Sequence, residues 1–203
     1  MFFMAETIMK KIENRIRIKP KGTVIIPSDF AELGKDNTIR QCIYKLTQEG
    51  ILVALGNGMY KKANFNELLQ KEVPVDPDQL AKAYARKKNW IIFPSKNLAL
   101  NVLGVSTQVP NTYTYKSNGS NAEVQIANNH IVFEKVLPKN MSKNQISNIV
   151  IEAINYLGKE TVTNEDLRTI KNHLSVKEFD NLKLDSERST IWIKELIREM
   201  EQL

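Results

Sequence analysis

Six polar side chains between Asn37 and Gln48 carry the residue types that read a nucleic-acid groove. At about 100° per residue on a helix, Asn37, Gln41, Tyr44 and Gln48 share one face, flanked by Arg40 and Lys45. Amides pair in bidentate fashion with adenine edges and Arg with guanine edges in a major groove. Lys and hydroxyl groups take phosphates. A face that only meets solvent more often carries Glu/Lys pairs, although a polar helix surface with no ligand is the plain alternative. No rival chemistry is spelled out elsewhere. His130 and His173 stand in different segments without further metal ligands at workable spacing. Cys42 lies on the apolar side of the same helix, without an evident base, and reads as core. There is no P-loop or G-x-G-x-x-G pattern, and the carboxylates form no defensible acid/base pair. The expectation is a non-enzymatic protein without cofactor or metal.

The elements around this face follow from local pattern. Residues 4–16 repeat Ile8, Ile12 and Ile16 every fourth position, beside Met4, Ala5 and Met9, which predicts an amphipathic first helix. Pro20 and Gly22 break it. Thr23–Ile26 is a β-branched strand closed by Pro27. Ser28 and Asp29 offer N-cap chemistry to a short helix holding Phe30 and Leu33, stopped by Gly34. Asp36 is expected to cap the next helix, from about Asn37 to Glu49, whose apolar face is Ile39, Cys42, Ile43 and Leu46. Ile51–Leu55 and Met59–Lys62 flank Gly56-Asn57-Gly58 and predict a β-hairpin. Helix, strand, helix, turn, helix and hairpin in that order is a winged helix-turn-helix, in which the third helix enters the groove and the hairpin meets the adjacent backbone.

Charge agrees with that placement. The chain of 203 residues carries a net +6, and residues 1–63 hold 11 Lys/Arg against 6 Asp/Glu while the rest is nearly balanced. A basic N-terminal third points to a polyanion, with a solvated basic surface as the lesser alternative. Lys19, Lys21, Lys45, Lys61 and Lys62 are the expected phosphate contacts. One cysteine excludes an intramolecular disulfide framework and fits a reducing cytoplasm. No apolar run approaches a membrane span, and the first residues do not read as a secretion signal.

Beyond the hairpin, residues 64–78 with Val73-Pro74-Val75-Asp76-Pro77 read as an extended linker. A second unit is expected over 79–203, giving an α+β protein: winged helix-turn-helix, then a mixed α/β domain with a β-meander and a helical tail. Its first helix uses Leu80, Ala83 and Tyr84, with Arg86, Lys87 and Lys88 at the end where cations suit the helix dipole. Trp90–Phe93 reads as a buried strand, Ser95 as the cap of a helix running to Gly104, and 112–136 as three meander strands. The alternation in 131–136 leaves open which face is core. Ser142 with Gln145 reads as a capping box, and Thr163 and Ser175 as two further caps. A last helix carries Ile191, Trp192, Leu196, Ile197 and Met200.

Two stretches resemble a known family. GTVIIPSDFAELGKDNTIRQCIYKLTQEGILVALGNGMYKK resembles the winged-helix domain of AbiE-type (type IV) antitoxins, with its Asp-led short helix, its Leu–small–Gly helix end and its strand–Gly-x-Tyr wing. PSKNLALNVLGVSTQVPNTYTYKSNG is similar to the second domain of that group, where an Asn-Leu-Gly-type helix leads into a Thr-Gln-x-Pro turn and a strand. The resemblance covers roughly residues 5–140. It implies a phage-defence antitoxin that represses its own operon by binding promoter DNA and counters a nucleotidyltransferase-like toxin. Carried over, it implies recognition positions Asn37, Thr38, Arg40, Gln41, Tyr44 and Lys45 and a wing of Asn57, Gly58 and Tyr60. The family's wing usually has Arg before the Gly where this chain has Asn57, so a charged tip would need Lys61 or Lys62 instead. The alternatives are a general winged-helix transcriptional regulator, an interaction adaptor with a structural winged helix, and an enzyme guided to nucleic acid by that domain.

Overall fold

The computed structural model describes residues 7–203; Met4 and Ala5, expected on the first helix, lie outside them. The described chain forms two compact units, one of residues up to Asn89 with Gln125–Asn129, the other of Trp90–Val124 with His130–Leu203. The protein is α+β.

In the first unit, α1 (Ile8–Arg17) starts at Thr7, whose side chain accepts the Lys10 N–H. Ile12 and Ile16 are fully buried, as their four-residue spacing requires. The strand β1 (Val24–Ile25) leads into a 3₁₀ helix, Pro27–Leu33, where Asp29 Oδ2 accepts the Ile26 N–H at 3.0 Å. Helix α2 (Asp36–Gln48) follows. Asp36 is its first helical residue and not its cap: Lys35 holds the cap position with no side-chain bond, and the Asp36 carboxylate turns to Arg40 one turn on. Ile39, Cys42, Ile43 and Leu46 are buried against Ile12, Ile16, Ile25, Phe30 and Leu52. Each of the large aliphatic side chains contributes roughly 1.5–3 kcal/mol by leaving water, so this stripe fixes which way α2 faces.

Gly50, in the left-handed region at φ +70°, ends α2. The chain then runs into β2 (Leu52–Gly56) and β3 (Met59–Lys62), and the three strands form an antiparallel sheet in the order β1-β3-β2.

Residues 64–78 are not an extended linker. They hold a small antiparallel pair, β4 (Phe65–Asn66) with β5 (Lys71–Glu72), and the start of α3 (Pro77–Lys88), capped by Asp76. Helix α3 belongs to the first unit. Leu80, Ala81, Ala83, Tyr84 and Ala85 are buried, and Arg86 reaches Asp29 and the Val24 carbonyl. The boundary between units therefore falls at Asn89/Trp90, not near residue 78. Of the two prolines that suggested a linker, Pro77 sits in the first turn of α3, where a missing N–H costs nothing.

A four-stranded sheet and a set of helices make up the second unit, apart from Gln125–Asn129, which group with the first. Strands β6 (Ile92–Pro94), β7 (Thr112–Ser117), β8 (Ala122–Ile126) and β9 (Asn129–Lys135) lie in the order β6-β7-β9-β8. This corrects the expected meander, because β7 and β9 are neighbours and run parallel. The β8–β9 connection is the two-residue turn Ala127-Asn128, both at positive φ, the geometry a tight hairpin needs. Ile131 and Phe133 are the buried face of β9. The expected buried strand at 90–93 is buried only in part: Ile91 is exposed and strand pairing begins at Ile92.

Helices α4 (Asn97–Val102), α5 (Gln145–Leu157), α6 (Asn164–Asn172), α7 (Val176–Ser186) and α8 (Ile191–Glu199) enclose a core of Leu100, Leu103, Val150, Ile154, Leu167, Ile170, Leu182, Ile193 and Ile197. Thr163 and Ser175 cap α6 and α7 in reciprocal boxes with Asp166 and Glu178. Ser95 and Ser142 do not cap. Ser95 Oγ donates to Glu152 at 2.6 Å, and Ser142 pairs through its backbone with Asn148, leaving Asn144 at the start of α5.

Candidate nucleic-acid interface

The apolar stripe of α2 is locked into the core, so the opposite side is turned to solvent. Asn37, Arg40, Gln41, Tyr44, Lys45 and Gln48 are all exposed, Tyr44 to 63%, while Thr38 is half-buried at the rim. Arg40 Nε lies 2.7 Å from Asp36 Oδ2 across one helical turn. That bond, foremost among its causes, raises the guanidinium pKa and lays the side chain along the helix. An exposed pair of this kind is worth little and opens readily to a stronger acceptor. The face presents three amides, one phenol and two cations to solvent.

The predicted phosphate contacts divide. Lys21 and Lys45 are exposed, and Lys19 lines a cleft with Thr23, Asp29, Gln79, Lys82 and Arg86. Lys61 is withdrawn: its side chain is 5% exposed, and Nζ meets Glu72 Oε2 at 2.6 Å and the Val73 carbonyl at 2.8 Å. The β4–β5 pair covers it, so it cannot reach a phosphate. Lys62 is also engaged. Its Nζ donates to the carbonyls of Arg17 and Lys19, at the end of α1, where helix carbonyls lack partners. Neither supplies the charge that the hairpin tip was expected to borrow from them. Tyr60 is half-buried and packs on the core of the unit, away from the tip. Asn57 is exposed at the tip, at φ +53°.

A cation nevertheless stands at the tip. Lys87, near the end of α3, donates from Nζ to the Asn57 carbonyl. By local pattern Arg86, Lys87 and Lys88 belong to a helix of the second unit, where they serve the helix dipole; in the fold that helix belongs to the first unit. The signal that places them is charge partition at the true boundary. Residues 1–89 hold 16 Lys/Arg against 10 Asp/Glu, and residues 90–203 hold 13 of each. The whole excess of the chain lies in the first unit.

The chain matches the family described as "Family of unknown function (DUF6088)" over residues 11–182. It belongs to that family. No curated protein matches it.

The second unit of this DUF6088 protein has a cleft of about 280 Å³ on an apolar floor of Phe93, Val136, Ile151 and Ile193. Lys116, Glu152, Asp185 and Arg188 are the charged residues that line it, and Lys116 belongs to a network of ion pairs that extends beyond the cleft. Lys116 lies 2.8 Å from Glu134 and 3.7 Å from Glu152, and Lys96 also bonds Glu134. Burial alone would raise the Glu134 carboxyl; the hydrogen bonds from Lys116 and Lys96 outweigh it and hold the group below the usual range. His130 sits between Thr112 Oγ1 at 3.0 Å and Glu123 Oε1 at 2.6 Å. Cys42 is buried. Among the described residues no three His, Cys, Asp or Glu side chains gather as a metal site, and no helix is long and apolar enough to cross a membrane.

Proposed function

We propose that the first unit of this DUF6088 protein is a winged helix-turn-helix that binds duplex DNA, with α2 as recognition helix and the β2–β3 hairpin as wing. One observation carries the reading: the exposed side of α2, held outward by its own core stripe, is made of amides, Tyr44, Arg40 and Lys45. These groups match base edges and phosphates. The element order supports it, as does the confinement of the net charge to residues 1–89.

The resemblance of residues 22–62 and 94–119 to AbiE-type antitoxins extends the reading. The protein would be a cytoplasmic, non-enzymatic antitoxin that represses its own operon and neutralises a nucleotidyltransferase-like toxin. Operator DNA and that toxin are its two proposed partners.

Fluorescence anisotropy of the full chain on the DNA upstream of its own gene, at several salt concentrations, tests the first part. Tighter binding than to random duplex is expected, with a log–log salt slope of about −0.9 per phosphate neutralised. Equal affinity for both duplexes would defeat the operator claim. Co-expression with a neighbouring nucleotidyltransferase-like gene tests the second part; growth unaffected by adding or deleting this protein would defeat it.

A further inference from the structure

We infer that Lys87 of α3 supplies the phosphate contact of the β2–β3 hairpin tip. The inference rests on the duplex-binding reading above and names a residue outside both the recognition helix and the hairpin.

The reasoning starts from the turn. Gly56, Asn57 and Gly58 all have positive φ, at 89°, 53° and 67°. Left-handed backbone costs an ordinary L-residue roughly 1–2 kcal/mol, and only Gly, with Asn and Asp to a lesser degree, visits it freely. A Lys or Arg at any of these three positions would therefore cost more than the Gly or Asn found there, although Lys96 at φ +54° shows that a cation can bear it. The turn that lets β2 and β3 pair leaves its own tip without a cation.

Helix α3 fills the gap. Lys87 Nζ donates to the Asn57 carbonyl, and a Cβ at Gly58 would stand 3.5 Å from the same nitrogen. The ammonium has three protons and one carbonyl takes one of them. Three other cations of the unit are neutralised, Lys82 by Asp78, Arg86 by Asp29 and Lys61 by Glu72, and Lys88 lies over the Tyr84 ring. Among the described residues no carboxylate oxygen lies within 4 Å of Lys87. It is exposed. An uncompensated cation with donors to spare, pinned at the tip of a hairpin, is the electrostatic element a phosphate requires. Attraction to the α3 dipole explains a cation near that helix end; it does not explain why the side chain leaves the helix for the Asn57 carbonyl.

Four variants of the full chain decide the matter, each titrated with one duplex across a salt series: Lys87→Ala, Lys87→Gln, Lys87→Arg and, outside the first unit, Lys159→Gln. Gln keeps a donor for the Asn57 carbonyl and loses the charge. Lys87→Ala and Lys87→Gln are expected to bind several-fold more weakly at ~0.1 M salt, with a slope shallower by about 0.9. Lys87→Arg and Lys159→Gln are expected to keep the wild-type slope. An unchanged slope in Lys87→Gln, with normal wild-type binding, would overturn the assignment and leave Lys87 as a strut for the hairpin. An equal loss in Lys159→Gln would overturn it in favour of diffuse charge. Absence of salt-dependent duplex binding by the wild type would overturn this inference together with the duplex-binding reading, and so is distinguishable from both.

Discussion

Lys61 loses its charged partner when Glu72 is replaced by alanine. As a bare pattern it is a basic residue at the end of a hairpin, ready for a phosphate; in the fold it is a buried ammonium held by Glu72 and the Val73 carbonyl. Glu72→Ala would leave that charge with one neutral acceptor. Removing one partner of a fully buried pair costs about 3–5 kcal/mol, but the Glu72 side chain is 35% exposed, so water reaches the site and about 2–3 kcal/mol is the better figure. For a unit of this size each kcal/mol moves the melting temperature by about 4–8 °C, so the first unit should melt roughly 8–24 °C lower. Lys61→Met keeps the stem, removes the buried charge and orphans one carbonyl, at a cost of about 1 kcal/mol. Thermal unfolding followed by circular dichroism measures both.

The same pair sets a pH dependence. The hydrogen bond from Lys61 is the chief cause that holds the Glu72 carboxyl below the usual carboxylate range. A carboxyl with a folded-state pKa below its unfolded one stabilises the fold fully above the unfolded value and loses that contribution as pH falls through the folded one. The difference in stability between wild type and Glu72→Ala should therefore hold at neutral pH and narrow as the solution is acidified below the ordinary glutamate range. The decisive readout joins stability to the proposed duplex binding: Lys61→Met should lower the melting temperature and leave the salt slope of that binding unchanged. An unchanged melting temperature with a slope shallower by about 0.9 would place the Lys61 head on a phosphate and refute the reasoning.

Other substitutions probe the remaining elements. Arg40→Ala should relax base preference at one or two positions by about 1–3 kcal/mol in competition binding, with little change in melting temperature; a uniform loss across all sequences would make Arg40 a phosphate contact. Gly119→Ala places a Cβ inside the Trp90 indole, which packs edge-on to Phe133. It should cost the second unit about 1–3 kcal/mol by overpacking, and an unchanged melting temperature with unchanged tryptophan emission would show that the indole steps aside. Thr163→Ala removes the acceptor for the Asp166 N–H at the start of α6 and should cost about 1 kcal/mol, with Thr163→Ser close to wild type; equal stability of all three proteins in urea would deny the box any weight.

What could be read from the chain was what is local to it. The Ile12/Ile16 and Ile39/Ile43 spacings placed α1 and α2 with their buried sides, and so turned Asn37, Gln41 and Tyr44 outward. Thr163 and Ser175 were recognisable as caps because each bonds a residue three positions on. Where several short polar residues cluster, the local rule was ambiguous. Asp36, Ser95 and Ser142 look like caps, and each side chain is claimed by another partner: Arg40, Glu152 and the Asn144 N–H.

Composition, periodicity and caps determined the α+β class, the core stripes and the polar side of α2, because each depends on residues within a turn or two of one another. Tertiary structure alone decided that β9 lies beside β7, that α3 belongs with the N-terminal unit, and where the heads of Lys61, Lys62 and Lys87 go. Strand order is a matter of pairing between distant segments. A lysine head sits at the end of four rotatable carbons, and its partner is whatever acceptor the fold brings within that reach: Glu72 eleven residues away for Lys61, the Arg17 and Lys19 carbonyls for Lys62, and the Asn57 carbonyl for Lys87.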